Sequence, residues 1–277
     1  KFLTEGKLGS CSFRALWGGR GTAKSWQVVD AAIWWCYHEK SLRCAFVRQI
    51  QATLEESSME LVRSRLEYWG LLGVVVHERK NKFYFDNGSV ILFMGLWKGN
   101  KPSGIKSLEG IGLTILEEAQ EVSKISLELL MPTVARTPRS EIWAIWNPRS
   151  AKDAVDALLR GPLPPSRAVV VEVHANDNLK FPPALREQME QDYKRNPVRA
   201  NHVWGGAYEP SAEGAMWTRD MLDLAILGGQ NLSKSLIKRI VVGVDPAGGG
   251  GDEIGIVAVA ELTNGKACVL DDYSCSP

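Results

Sequence analysis

Apolar positions in this chain come in short runs, set between segments where they recur at helical spacing. Phe13 to Trp17 is an apolar run that ends in a glycine cluster, and Val28, Val29, Ala32, Ile33 and Cys36 follow one helical stripe, so the order strand, loop, helix is predicted. Cys44 to Val47 reads as a second strand. Leu54 to Trp69 reads as a charged amphipathic helix with Leu54, Leu61 and Leu66 on its apolar side. The β-α-β-α alternation implies a parallel sheet. Lys82 to Phe85 and Val90 to Met94 flank Asp86-Asn87-Gly88, a tight-turn signal that predicts an antiparallel insertion. Ile111 to Leu116, Ile142 to Trp146 and Val169 to Val173 are buried-strand candidates, the second closed by Asn147-Pro148. A helix is predicted from Phe181-Pro182-Pro183 to about Arg195. The Gly- and Pro-containing stretch from Gly205 to Gly214 marks the end of the first domain. Beyond it Ile240 to Val244, Ile254 to Ala260 and Lys266 to Leu270 form a β-meander, joined by Gly248 to Gly251 and by Thr263-Asn264-Gly265. The pattern predicts an α/β domain over 1–205, a linker over 206–236 and a strand-rich part over 237–277.

Composition bounds this picture. A chain of 277 residues, 45% hydrophobic and 23% charged, is that of a folded protein. Thirty-three Lys and Arg stand against 32 Asp and Glu, so there is no global basic field and any DNA contact must be local. No apolar run approaches the ~20 residues of a membrane span, so an intracellular protein without a membrane partner is expected. The missing initiator Met suggests an excised fragment. Five cysteines without a C-x-x-C pair argue against a disulfide framework or zinc site; they are expected to be reduced thiols, three of them in the core. Ten tryptophans are many, but Trp34, Trp35, Trp143 and Trp146 fall in predicted core elements.

Three motifs carry chemistry. Trp17-Gly18-Gly19-Arg20-Gly21-Thr22-Ala23-Lys24-Ser25 lies between a strand and a helix, as a phosphate-binding (Walker A) loop must. Backbone N–H groups of Gly18 to Ser25 would cradle phosphate oxygens, Lys24 would meet the β and γ phosphates of ATP, and Ser25 would hold Mg²⁺. Ala23 stands where the last glycine of the pattern belongs. Leu113-Thr114-Ile115-Leu116-Glu117-Glu118-Ala119 is an apolar strand ending in two carboxylates, with Glu117 assigned to the metal and Glu118 to the attacking water (Walker B). Ile142 to Trp146 delivers Asn147 to the same sheet edge, where an amide can sense the γ phosphate. Arg20 is a candidate arginine finger in cis, Arg136 and Arg139 candidates in trans, and Lys98, Lys101 and Lys106 a basic loop.

The order of these motifs, together with Ile105-Lys106-Ser107-Leu108-Glu109-Gly110, Glu117-Glu118-Ala119-Gln120-Glu121-Val122-Ser123, Trp146-Asn147-Pro148, His174 to Asn178, Trp204-Gly205-Gly206, Val244-Asp245-Pro246-Ala247-Gly248 and Leu270-Asp271-Asp272-Tyr273-Ser274, resembles the large terminase subunit of tailed bacteriophages. The resemblance implies a P-loop ASCE-type ATPase domain followed by the first strands of an RNase H-like nuclease domain with a carboxylate cluster for Mg²⁺ or Mn²⁺. Asp245, with Asp272 or Asp271 beside it, would hold metal, helped by Asp252 and Glu253. The nuclease is expected to be incomplete in a chain ending at Pro277. The family's function implies an ATP-driven motor that translocates double-stranded DNA into a procapsid. Its partners would be a portal protein, a small terminase subunit and further copies of itself in a ring on the portal, in the host cytoplasm and not in the mature virion. Another ASCE or helicase-like nucleic-acid ATPase, or an inactive assembly module, are the alternatives the residues leave open.

Overall fold

The computed structural model describes residues 3–4, 6–50, 54–97, 105–210, 225, 232–246 and 254–275. The chain forms two compact units, 1–209 and 210–277. The first is built on an eight-stranded sheet of β1 (Phe13–Trp17), β2 (Arg43–Ile50), β3 (Val76–Arg79), β4 (Lys82–Phe85), β5 (Val90–Trp97), β6 (Leu113–Leu116), β7 (Glu141–Trp146) and β8 (Ala168–Glu172), in the order β3-β4-β5-β2-β6-β7-β1-β8. All pairings from β5 to β8 are parallel; β4 runs antiparallel to β5, and β3 to β4.

Side chains alternate across this sheet because a strand turns successive residues to opposite faces. Cys44 and Phe46 of β2, Leu113 and Ile115 of β6, and Trp143 and Ile145 of β7 enter one core, shared with α1 (Lys24–His38) and α2 (Leu54–Tyr68). Ala45, Val47, Leu116, Ile142, Ala144 and Trp146 enter the other, covered by α3 (Lys124–Ala135), α4 (Ala154–Leu159) and the 3₁₀ turn Ile105–Leu108. Coverage on both faces explains why β6 and β7 are buried at every position, as inner strands of parallel sheets are. A small third cluster, Ala175, Phe181, Ala200 and Trp204, packs α5 (Pro183–Arg195) and α6 (Pro197–Ala200) with the π-helical turn Asn201–Gly205.

Four expectations change. Strand β3 was not foreseen: it forms a hairpin with β4 through Lys80 and Asn81, both at positive φ, and no Gly marks that turn. Trp34 is 39% exposed, since it falls one residue off the buried stripe of α1. Two cysteines are buried, Cys36 and Cys44, and Cys11 is only half-buried. The first unit also runs past residue 205: Ala207 N–H donates to Asn201, Glu209 N–H to Arg149, and the Tyr208 hydroxyl to Asp156 at 2.8 Å.

The second unit is an antiparallel meander of β9 (Ile237–Asp245), β10 (Gly255–Leu262) and β11 (Ala267–Asp272), with β10 in the centre. Asp245 lies opposite Gly255 and Asp272 opposite Val257, two positions apart on β10 and therefore on one face; Asp271, opposite Ala258, is on the other.

Candidate functional site

A parallel sheet gathers the loops after its strands at one edge, where ligands of open α/β sheets bind. At this edge β1 delivers Gly18, β2 delivers Arg48, β6 delivers Glu117 and Glu118, and β7 delivers Asn147.

The loop after β1 is clamped from behind. Its Gly18 N–H donates to Trp146 at 3.3 Å and its Arg20 N–H to Val203 at 2.7 Å. A Cβ on Gly18 would stand 2.0 Å from the Val173 carbonyl oxygen, and one on Gly19 would stand 2.0 Å from that of Trp204. Only glycine permits this approach. The Asn178 side-chain amide donates to the Gly21 carbonyl at 2.8 Å, so the segment after β8 fastens the loop as well. Ala23, where the motif has glycine, sits at φ 60°, ψ 23°, the left-handed region, immediately before α1. Ala23 thus takes up the left-handed conformation that glycine adopts most readily.

Lys24 folds onto its own loop. Its ammonium donates to the carbonyls of Gly18 and Gly19, both at 2.7 Å, and to Thr22 Oγ1 at 3.1 Å. Burial brings its pKa down to about 8. The buried Thr22 hydroxyl donates to Gly19 at 3.3 Å. Ser25, half-buried, occupies the first turn of α1. Arg20 is exposed, and its guanidinium makes no hydrogen bond or ion pair within the described residues.

Glu117 is buried and Glu118 half-exposed. Burial raises the Glu117 pKa, opposed by the Ser58 hydroxyl and by Arg48. Arg48 lies 3.2 Å from Glu117 and 3.6 Å from Glu118, and Ser58 Oγ donates to Glu117. Glu118 has a left-handed backbone, φ 47°, ψ 47°. Asn147 presents a buried Oδ1 that no donor meets among the described residues, and Gln120 Oε1 is in the same condition. An unsatisfied buried acceptor is costly, and at this edge it fits a site that receives a donor from a bound group.

The structure therefore brings Gly18 to Ser25, Glu117, Glu118 and Asn147 to one edge. Arg139 lies elsewhere: it precedes β7 at the amino edge, has φ 62°, and binds Leu8 O and Glu39, each at 3.3 Å. Arg136 caps α3 at its carboxyl end. Lys98, Lys101, Asp252 and Glu253 lie outside the described residues, as does the side chain of Lys106. Asp245 and Asp272 are exposed, and the Ser274 hydroxyl holds the Asp272 carboxyl below its usual range. Within the described residues no three His, Cys, Asp or Glu side chains group as a metal site, and no helix is long and apolar enough to cross a membrane. The sequence reading missed Arg48 and Ser58. An arginine directly after the apolar run Cys44 to Val47 was the available signal for the first.

A glycine loop opening the first helix, with β7 inserted between the strand before that loop and the strand before the acidic pair, defines a P-loop α/β fold of the ASCE class. The chain belongs to the phage terminase large subunit family, whose profile matches residues 11–207. No curated protein matches the sequence. Among solved structures, the large terminase from a thermophilic bacteriophage aligns with a TM-score of 0.61 at 12% identity, covering 100% of this chain and 67% of that one. A further crystal form of that protein, solved in complex with ADP, aligns at 0.60 with the same identity and coverage. The HK97 bacteriophage large terminase aligns at 0.58 with 13% identity, covering 94% of this chain and 58% of its own. These likenesses are of fold; the chain spans about two thirds of the length of the first relative and less of the HK97 protein.

Proposed function

We propose that this chain is the ATP-hydrolysing part of a motor that drives double-stranded viral DNA into a procapsid. It would act in the host cytoplasm with a portal protein and a small terminase subunit, self-associated as a ring on the portal. The observation that carries the reading is the meeting of a clamped glycine loop, an acidic pair and a buried Asn147 amide oxygen, unmet by a donor among the described residues, on one sheet edge within the segment that matches the family. The ADP complex of the thermophilic phage terminase supports nucleotide as the ligand.

Phosphoryl transfer asks a protein mainly for positioning and charge stabilisation. The loop N–H groups and the N-terminus of α1 hold the phosphate oxygens. Lys24, already charged below about pH 8, exchanges the Gly18 and Gly19 carbonyls for phosphate oxygens. Ser25 and Glu117 would hold Mg²⁺, which when bound neutralises charge on the phosphates. Glu118 orients the attacking water and takes its proton. The exposed guanidinium of Arg20 reaches the γ phosphate from within the loop, and Asn147 Oδ1 accepts from water there.

The direct test is steady-state phosphate release with and without duplex DNA, against Lys24→Ala as control. DNA-stimulated release that the substitution abolishes, without strand separation, is the expected result. Equal release by both proteins overturns the assignment.

A further inference from the structure

Arg48 contacts both members of the acidic pair. It lies near the end of β2, is 13% exposed, and brings one guanidinium to two adjacent carboxylates. Its Nε stands 3.3 Å and its Nη2 3.2 Å from Glu117 Oε2, and its Nη1 stands 3.6 Å from Glu118 Oε1. Nη2 also donates to Ser57 Oγ at 3.0 Å and Ser58 Oγ at 3.4 Å, both on α2. Two carboxylates in sequence repel one another, and burial of Glu117 disfavours its charge; a cation between them offsets both effects. A guanidinium is a planar fork of fixed donor directions, so it sets where each carboxylate sits relative to the other, which the point charge of a lysine would not do. The left-handed backbone of Glu118 makes this more consequential. That conformation is sterically costly for a residue other than glycine, so it persists only where surrounding contacts hold it.

We propose that Arg48 is a positioning residue for hydrolysis. Its fork aligns the water-orienting carboxylate of Glu118 with the anchored carboxylate of Glu117, and Ser57 and Ser58 tie that alignment to the beginning of α2. The inference rests on the ATPase reading. It adds that the geometry of the acidic pair depends on a residue of a different strand, and on a helix that neither motif contains.

The experiment uses the whole chain and four variants, Arg48→Gln, Arg48→Lys, Ser57→Ala and Lys24→Ala. Phosphate release is followed over a range of Mg-ATP concentrations, and melting temperature is recorded for each. For Arg48→Gln, kcat falls by about 100-fold, the scale of a lost near-attack geometry, while KM for ATP stays near the wild-type value. Arg48→Lys restores the charge but not the fork, and recovers only a minor part of that loss. Ser57 is exposed and touches neither carboxylate; its alanine variant melts like the wild type and loses about threefold in kcat, as expected for one supporting hydrogen bond. Wild-type kcat in Arg48→Gln overturns the proposal, and so does a parallel loss of kcat, ATP affinity and melting temperature, which marks a merely structural residue. If Arg48→Gln does not fold, an unchanged kcat in Ser57→Ala overturns it. Absence of Lys24-dependent hydrolysis in the wild type instead overturns the ATPase reading, and the two failures are thereby distinguished.

Discussion

The ammonium of Lys24 lies 2.7 Å from the Gly18 carbonyl oxygen, so the cation expected to meet phosphate is held by the loop that would carry it. Burial lowers its pKa to about 8, and nearby phosphate charge would raise it again. ATP binding at about pH 8.5 is therefore expected to take up protons, and binding at about pH 6.5 to take up none at this lysine. Calorimetry in buffers of different ionisation enthalpy reads the difference; uptake that survives in Lys24→Met refutes the assignment. The same shift gives a stability signature. Between about pH 8 and the ordinary lysine value of 10.5 the unfolded chain binds more protons than the folded one, so stability rises with pH across that window. The rise disappears in Lys24→Met.

Glu118→Gln should bind Mg-ATP and lose turnover by orders of magnitude, because only water activation is removed. Glu117→Gln should weaken binding of Mg-ATP, because it alters a carboxylate that would hold the metal. Binding and single-turnover hydrolysis measured on both variants decide it. A mild Glu118→Gln beside a Glu117→Gln that binds but does not turn over reverses the two roles.

Ala23→Gly is expected to stabilise the chain. Alanine at φ 60° carries a steric cost of about 1–2 kcal/mol, against which glycine loses about 0.4–1 kcal/mol through the freedom of its unfolded state. A net gain of up to about 1.6 kcal/mol, read from denaturant unfolding, is the outcome to look for. Gly19→Ala acts in the opposite direction: its Cβ would drive the Trp204 backbone off the loop, and a loss of about 1–3 kcal/mol should accompany weaker nucleotide binding.

Glu141 provides a structural contrast to the acidic pair. It is fully buried, 2.8 Å from Arg14 Nε, and accepts from Trp143 Nε1 and the Gly9 N–H at 2.9 and 2.8 Å. Glu141→Ala takes the carboxylate away from a buried guanidinium and should cost about 3–5 kcal/mol. ATP turnover per folded molecule is expected to be unchanged, since β7 presents Glu141 at the edge opposite Asn147. A turnover defect larger than the folding defect contradicts this.

In the second unit, Asp245 and Asp272 share a face but stand on strands separated by β10, roughly 12 Å apart along the sheet. Two exposed carboxylates at that spacing make a weak divalent site. Supercoiled plasmid incubated with the chain in millimolar Mn²⁺ should stay uncut. Nicking that Asp245→Ala abolishes would show a working nuclease in this chain.

The sequence alone determined most of the architecture and singled out the candidate loop. Apolar runs located the parallel strands, most plainly the inner ones, which must be apolar throughout in a sheet covered on both faces; Ile142 to Trp146 is an example. Gly18 to Ser25 and Glu117-Glu118 stood out as candidates because phosphate binding and water activation ask for fixed residue types at fixed offsets, and the fold brings both segments to one sheet edge. The hairpin strand β3 was not legible, since its turn uses Lys80 and Asn81 at positive φ where glycine would have been the signal. Tertiary structure decided what no local pattern encodes: Trp204 and Val173 closing on the glycine loop, Arg139 bound at the far edge of the sheet, Asp272 rather than Asp271 on the face of Asp245, and Arg48 joining two adjacent carboxylates, the nearer of them 69 residues further along the chain. These depend on which strands become neighbours. Strand order is set by how helices cover the two faces of the whole sheet, a property of all the elements packed together and of none of them singly.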